Sequence, residues 1–305
     1  YKQKIVMDKY VVFHVEGGLG KNVASTAVIK NIAEKYKDRK LIVQASFPEV
    51  FLNNPYVHRV YRLGMTPYFW DDYIDGQDTI ILRREPYFET SHIMQKTPLH
   101  ETWHKMYELP YNKEKDLPEL YMNMIQSEMP ITWNRQRPIL LLHTNGGPLM
   151  DGAPIYAWSR DMPRYVAEAI IQNFGQQYHI IQVVKHASQA IQSPMVEIVD
   201  KQMSNFELFS LVRASAKRVL IDSCLQHAAA AYKLPSTVLW IGTHPEMFGY
   251  VMHSNIKAKP PIGNVKKIDS SYFDYQLDGQ FHECPYNSPE EMFDVNEIIK
   301  AINKN

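Results

Sequence analysis

Lys9-Tyr10-Val11-Val12-Phe13-His14-Val15-Glu16-Gly17-Gly18-Leu19-Gly20-Lys21 is the stretch that decides the fold. An apolar run of strand length ends in a glycine-rich turn. Val28, Ile29, Ile32, Ala33 and Tyr36 then recur at helical spacing. Lys40-Leu41-Ile42-Val43-Gln44-Ala45 follows as a second buried strand. Strand, helix and strand in such close succession imply a parallel sheet. Further strands are expected at Val57 to Arg62 and Thr79 to Arg83, with a helix from Ser91 to Leu109.

Pro110, Pro118, Pro130 and Pro138 punctuate a polar stretch, which places a domain boundary between residues 133 and 134. A second α/β series then begins. Strands are expected at Pro138 to His143, His179 to Val184, Arg218 to Ile221 and Thr237 to Ile241. Helices are expected at Tyr165 to Phe174 and Ser223 to Tyr232. Ser204-Asn205-Phe206-Glu207 has the form of a capping box opening one more helix. The reading is therefore α/β, with two Rossmann-like doubly wound domains facing across a cleft. They span residues 1–133 and 134–285. Residues 286–305 form an amphipathic helix expected to pack back toward the first domain.

Composition narrows the class. The 305 residues carry 33 basic and 33 acidic side chains, with 45% hydrophobic and 22% charged residues. Such a chain buries a core, and neither disorder nor a collagen-like class fits. Zero net charge argues against nucleic acid as the bulk partner, while leaving room for a local basic groove. Cys224 and Cys284 are too few for a disulfide framework, which points to a reducing compartment. No apolar run is long enough to span a membrane. Tyr1-Lys2-Gln3-Lys4 is not followed by a signal-type core, so the expected location is the cytoplasm.

Two loops follow strands and enter helices, where ligands bind in open α/β sheets. In the first, Gly17, Gly18 and Gly20 let backbone N–H groups approach an anion, and Lys21 adds a charge. A phosphate-binding P-loop fits poorly. Val15 stands where its first glycine belongs, and Asn22 replaces the hydroxyl that holds Mg²⁺. A dinucleotide fingerprint lacks its third glycine, because position 23 is Val. A tight turn without a ligand is the plain alternative. In the second loop, Asp222-Ser223-Cys224-Leu225-Gln226-His227, Ser223 caps a helix whose free N–H groups suit a diphosphate. Its plain alternative is a capped helix with a small-residue face. Arg160, just before a helix, has the forked geometry of a phosphate clamp. Lys185, after a strand, is a candidate for contact with a ribose or base.

His100-Glu101-Thr102-Trp103-His104 matches the zinc-peptidase pattern H-E-x-x-H. The extended form requires Gly and His where Tyr107 and Pro110 stand. A short match in a chain with 12 His is weak, and no metal site is assigned.

Across most of its length the chain resembles the heptosyltransferase-like glycosyltransferases of family 9, which have the GT-B fold. The opening glycine loop and Asn53-Asn54-Pro55-Tyr56-Val57-His58-Arg59-Val60 carry part of the likeness. The donor-domain signature carries more. It is Met203-Ser204 through Asp222-Ser223, then His227-Ala228-Ala229-Ala230 and Gly242-Thr243-His244-Pro245-Glu246. The resemblance implies sugar transfer from a nucleotide diphosphate sugar, with inversion and without an essential metal or resident cofactor. The acceptor would be a glycan or lipid-linked glycan of surface-polysaccharide or lipopolysaccharide type. It further implies that Asp222, Ser223, Cys224, Leu225 and His227 line the diphosphate pocket. Arg160 would neutralise the diphosphate, Met203 would pack on the base, and Thr144 and Asn145 would be the small polar positions after the donor domain's first strand. Two departures stand out: Cys224 replaces the family's usual glycine, and Lys21 stands where the family has its acidic base. Glu16 is the first candidate to supply that base. His100, Glu101 and His104 are the second group. The competing classes are a P-loop-type ATPase, a GT-B enzyme acting on a modified nucleic-acid base, and a non-catalytic nucleotide-sugar-binding relative.

Overall fold

The structure, a computed structural model, describes residues 8–122, 136–146, 157–184, 186–199, 203–262 and 284–305. The first part contains β1 (Lys9–Val15), α1 (Leu19–Ser25), α2 (Ile29–Lys35), β2 (Lys40–Ala45), β3 (Arg59–Arg62), α3 (Phe69–Tyr73), β4 (Asp78–Leu82), α4 (Thr90–Ile93) and α5 (Leu99–Met106). The strands form a parallel sheet in the order β3-β2-β1-β4. Alternation along β1 sends Val11, Phe13 and Val15 to the face covered by α1, α2 and α5. Tyr10 and Val12 face the other way, beneath Tyr61, Phe69 and Tyr73.

The second part contains β5 (Ile139–His143), α6 (Arg164–Phe174), β6 (His179–Val183), β7 (Val196–Val199), α7 (Asn205–Ala214), β8 (Lys217–Ile221), α8 (Cys224–Ala231), β9 (Thr237–Trp240), α9 (Pro245–Phe248), β10 (Ser254–Lys257) and α10 (Val295–Lys304). Its parallel sheet runs β10-β9-β8-β5-β6-β7, a doubly wound order. Leu140, Leu142, Val219 and Ile221 pack beneath α6 and α10, while Leu141 and Leu220 lie on the side of α7 and α8. The capping box forms as expected. Ser204 Oγ accepts from Glu207 N at 3.2 Å, and Glu207 Oε2 accepts from Ser204 N at 2.7 Å.

Several sequence expectations need correction. The helix from Ser91 to Leu109 is two helices, because Gln95 takes a left-handed φ of 55° and Pro98 starts a new one. The terminal helix begins only at Val295, where Asp294 accepts from Asn296 N at 2.9 Å. It does not reach back to the first sheet. Ile298 and Ile302 are buried with Leu140, Val166 and Val219, so α10 is a layer of the second sheet. The physical reason is a single apolar stripe, filled by the face between α6 and β8–β9. The boundary expected between residues 133 and 134 lies outside the described residues. Among these no helix is long and apolar enough to cross a membrane.

One hydrophobic cluster joins the two sheets. It runs from Val11 and Phe13 through Val23, Leu225 and Ala228 to Leu220 and Trp240. The order of strand addition reverses at two switch points, between β1 and β4 and between β5 and β8. The loops at their carboxyl ends are where such sheets bind ligands.

Ile298 is fully buried. Ile298→Ala removes a side chain from a packed layer and is expected to lower stability by about 2–5 kcal/mol. Urea unfolding of the variant measures this. An unchanged midpoint would disprove the packing of α10 on the second sheet.

Candidate functional site

The switch-point loops of the two sheets meet. A Cβ on Gly20 would lie 3.3 Å from Cys224 Cα and 3.4 Å from His227 Cδ2. A side chain at position 20 would press on the first turn of α8, which would have to give by a few tenths of an ångström. The glycine loop is tied from within. Buried Asn22 donates to the carbonyls of Gly17, at 3.2 Å, and Gly18, at 3.0 Å, and accepts from Phe47 N at 3.3 Å. Position 22 is therefore a loop staple, with no hydroxyl to offer a metal, which weighs against the P-loop alternative. Gly17 has φ +97°, and a Cβ there would meet Lys21 Cδ at 3.2 Å. Lys21 thus folds back across the turn. Its ammonium pairs with Glu85 and lies 5.3 Å from the centre of the Tyr87 ring.

Glu16 points elsewhere. Its carboxylate meets His14 Nε2 at 2.8 Å and Arg83 Nη2 at 3.3 Å. The His14 hydrogen bond first, and Arg83 after it, pull Glu16 below the usual carboxylate range. Lys21 pairs instead with Glu85, a residue the sequence reading missed. Glu85 lies two positions beyond the expected strand Thr79 to Arg83, and β4 neighbours β1. The carboxyl-end rule applied to that strand would have found it.

On the second sheet, Ser223 caps α8 and lies 2.9 Å from His143 Nδ1 across the β5–β8 switch point. Asp222 accepts from Thr243 Oγ1 at 2.6 Å. Gly242 N donates to Ser159 O at 2.7 Å, which holds the turn carrying Arg160 against the same segment. Buried Asp161 shapes that turn, accepting from Gly146 N at 3.2 Å and Ala157 N at 3.0 Å. Burial, with the charges of Asp222 and Glu85, pushes the Tyr87 phenol up, and Arg160 opposes them. Charges from both sheets therefore act on one phenol. Thr144 and Asn145 are hydrogen-bonded to each other at 2.7 Å. They border a cavity of about 310 Å³ shared with Met162, Gln182 and Gln189. Met203 packs half-buried against the joining core. Lys185 lies outside the described residues.

Burial pushes the Cys224 thiol up to about 11, so it stays protonated. Two expected roles change. His227 is buried with Nδ1 2.7 Å from the Tyr250 hydroxyl. Burial foremost, then His100 and His253, push it well below the usual imidazole range. It is neutral and brings no cation to an anion. His100, Glu101 and His104 do not act as a group. His100 packs against Tyr250 with ring centres 5.0 Å apart, and His104 Nδ1 meets the His100 carbonyl at 2.6 Å. Glu101 pairs with Lys105 at 2.6 Å. The helix turns both imidazoles into the core and leaves the glutamate outside. Among the described residues no three His, Cys, Asp or Glu side chains gather as metal ligands.

No protein-family model matches the chain, and no curated protein matches its sequence. Solved structures do match its shape. The ADP-heptose lipopolysaccharide heptosyltransferase II of E. coli is 12% identical with a TM-score of 0.59, over 97% of this chain and 99% of that one. The chain shares that structure's two-sheet α/β fold. A family 9 glycosyl transferase from Veillonella parvula gives 0.64 at 10% identity, over 98% and 97%. The iron-containing dodecameric glycosyltransferase TibC of enterotoxigenic E. coli gives 0.66 at 13% identity, over 98% of this chain and 76% of that one. In this shared fold, the paired switch points described above come from both sheets.

The buried histidines set a pH dependence. Burial lowers His100 to about 3, and His143 and His253 to about 4, from 6.5. Between those values and 6.5 the unfolded chain binds protons that the folded chain does not. Stability is therefore expected to fall as pH drops from 7 toward 4. Urea midpoints across that range measure the slope, and His100→Asn should flatten it. A slope that His100→Asn leaves unchanged would show that His100 is not held neutral.

Proposed function

We propose that this chain is an inverting glycosyltransferase that uses a nucleotide diphosphate sugar. The observation that carries the reading is the contact of Gly20 with Cys224. It brings the glycine loop of one sheet against the helix start of the other, so a donor and an acceptor can share one crevice. The solved structures support the choice of donor. One similar fold is E. coli heptosyltransferase WaaC with ADP, and another is TibC in complex with ADP-D-beta-D-heptose.

In this reading the second half, residues 134–285, holds the donor, and the first half, residues 1–133, holds the acceptor across a cleft. The free N–H groups at the start of α8 and the Arg160 guanidinium take the diphosphate. Thr144, Asn145 and Met203 border the nucleoside. The acceptor hydroxyl loses its proton to a carboxylate and attacks the anomeric carbon from the face opposite the diphosphate. The bond from that carbon to the phosphate oxygen breaks, and the charge collects on the leaving diphosphate. Fixed donors already aimed at that charge lower the barrier. The chemistry needs no metal and no resident cofactor. The acceptor is a glycan or lipid-linked glycan, and the reaction takes place in the cytoplasm.

A thermal-shift panel of ADP, UDP, GDP and CDP in the presence of EDTA tests the donor site. One nucleotide, ADP first, should raise the melting temperature. Saturation at roughly 100 Kd corresponds to about 2.7 kcal/mol. Stabilisation by none of the four would end the donor assignment. ATP turnover that requires Mg²⁺ would favour the ATPase instead.

A further inference from the structure

We propose that Glu85, delivered from the end of β4, is the base that removes the acceptor proton, and that Lys21 holds it in place; this rests on the transferase reading above. Strand order supplies the first argument. β1 and β4 are neighbours, so the loops after them, which carry Glu16 and Glu85, flank one switch point. A base for an acceptor held by the first sheet belongs at that point.

Elimination supplies the second. Three carboxylates among the described residues lie within three positions of the carboxyl ends of the strands at the two switch points: Glu16, Glu85 and Asp222. Asp222 accepts from Thr243 on the diphosphate side, where a second negative charge opposes donor binding. Glu16 is turned toward His14 and Arg83, which share its Oε1, and away from Lys21. Glu85 is turned toward Lys21. Its side chain retains 31% of its exposure against 51% for Glu16, so a hydroxyl can reach either, and direction separates them. Glu85 Oε1 also accepts from Tyr87 N at 3.2 Å, which fixes the direction of the carboxylate.

Position supplies the third. Lys21 follows Gly20, the residue seated on Cys224, so the Lys21–Glu85 pair lies beside the start of α8. A diphosphate bound there competes for the Lys21 ammonium. As the donor arrives, Glu85 loses part of its counter-charge and is freed to meet the acceptor hydroxyl. The step balances. The hydroxyl proton goes to Glu85, the acceptor oxygen bonds to the anomeric carbon, and the electron pair of the broken carbon–oxygen bond leaves with the diphosphate. The proton on Glu85 is then lost to water.

The test uses the full chain with ADP-heptose and with ADP-, UDP- and GDP-hexoses, water serving as acceptor, and reads nucleoside diphosphate release. Glu85→Gln should bind ADP as the wild type does and lose release by about 10²-fold or more. Glu85→Asp should keep part of it. The acid limb of the pH–rate profile should vanish in Glu85→Gln and move to higher pH in Lys21→Met, since removing the cation raises the carboxylate. Release by Glu85→Gln within a few-fold of wild type would overturn the proposal, as would a larger loss in Glu16→Gln. A Glu85→Gln protein that has lost its fold, judged by melting, is replaced by the Glu85→Asp and Lys21→Met profiles. An acid limb unmoved in Lys21→Met overturns the role of Lys21. Release by the wild type from none of these donors would sink the transferase reading itself, and this inference with it.

Discussion

The missing Cβ of Gly20 is the constraint on which the rest depends. A Cβ there would lie 3.3 Å from Cys224 Cα, so glycine lets α1 rest on the first turn of α8 without the neighbour giving way. That contact sits at the edge of the cluster that joins the sheets through Val23, Leu225 and Ala228. The two switch points are therefore held together by packing. Polar groups gathered around them inherit that geometry. Asn22 staples the loop that makes the approach, and Asp161 shapes the loop opposite.

The charges are sorted by the same packing. Residues close to the joining core are neutral: His100, His143, His227 and His253 are desolvated, and the Cys224 thiol stays protonated. Charged groups stand at the rim, where water or a ligand can reach them: Lys21 with Glu85, Glu16 with Arg83, and Arg160 on its turn. Burying an ion without a partner costs more than neutralising it, so the core takes imidazoles and the rim takes ion pairs.

Sequence periodicity was reliable where elements are buried on both sides. The strands β1, β2, β5 and β8 are continuous apolar runs and were readable as such. The edge strands β3 and β10 carry Arg59, Arg62, Ser254 and Lys257, and their polarity hid their bounds or their existence. The helix broken at Gln95 and Pro98 failed for a different reason: an apolar pattern persists across a turn that only backbone dihedrals reveal. In the site, the loops Gly17–Lys21 and Asp222–His227 were legible because glycine and capping serine have few other uses after a strand. The H-E-x-x-H match misled because two imidazoles on one helix face suit a core as well as a metal.

The amino-acid sequence by itself determined the two parallel sheets, the two loops at strand ends and the capped start of α8. These follow from local periodicity and from residues with special backbone needs. Only the tertiary structure decided which side chains share a crevice. Lys21 and Glu85 are 64 positions apart, and nothing local links them. Strand order brings β4 beside β1, and so sets Glu85 rather than Glu16 against the lysine. Similarly, α10 was legible as an amphipathic helix, but which sheet receives its apolar stripe depends on which face is left open. Pairings of this kind are set by topology and burial, whose free energy belongs to the whole packed chain and to no single segment.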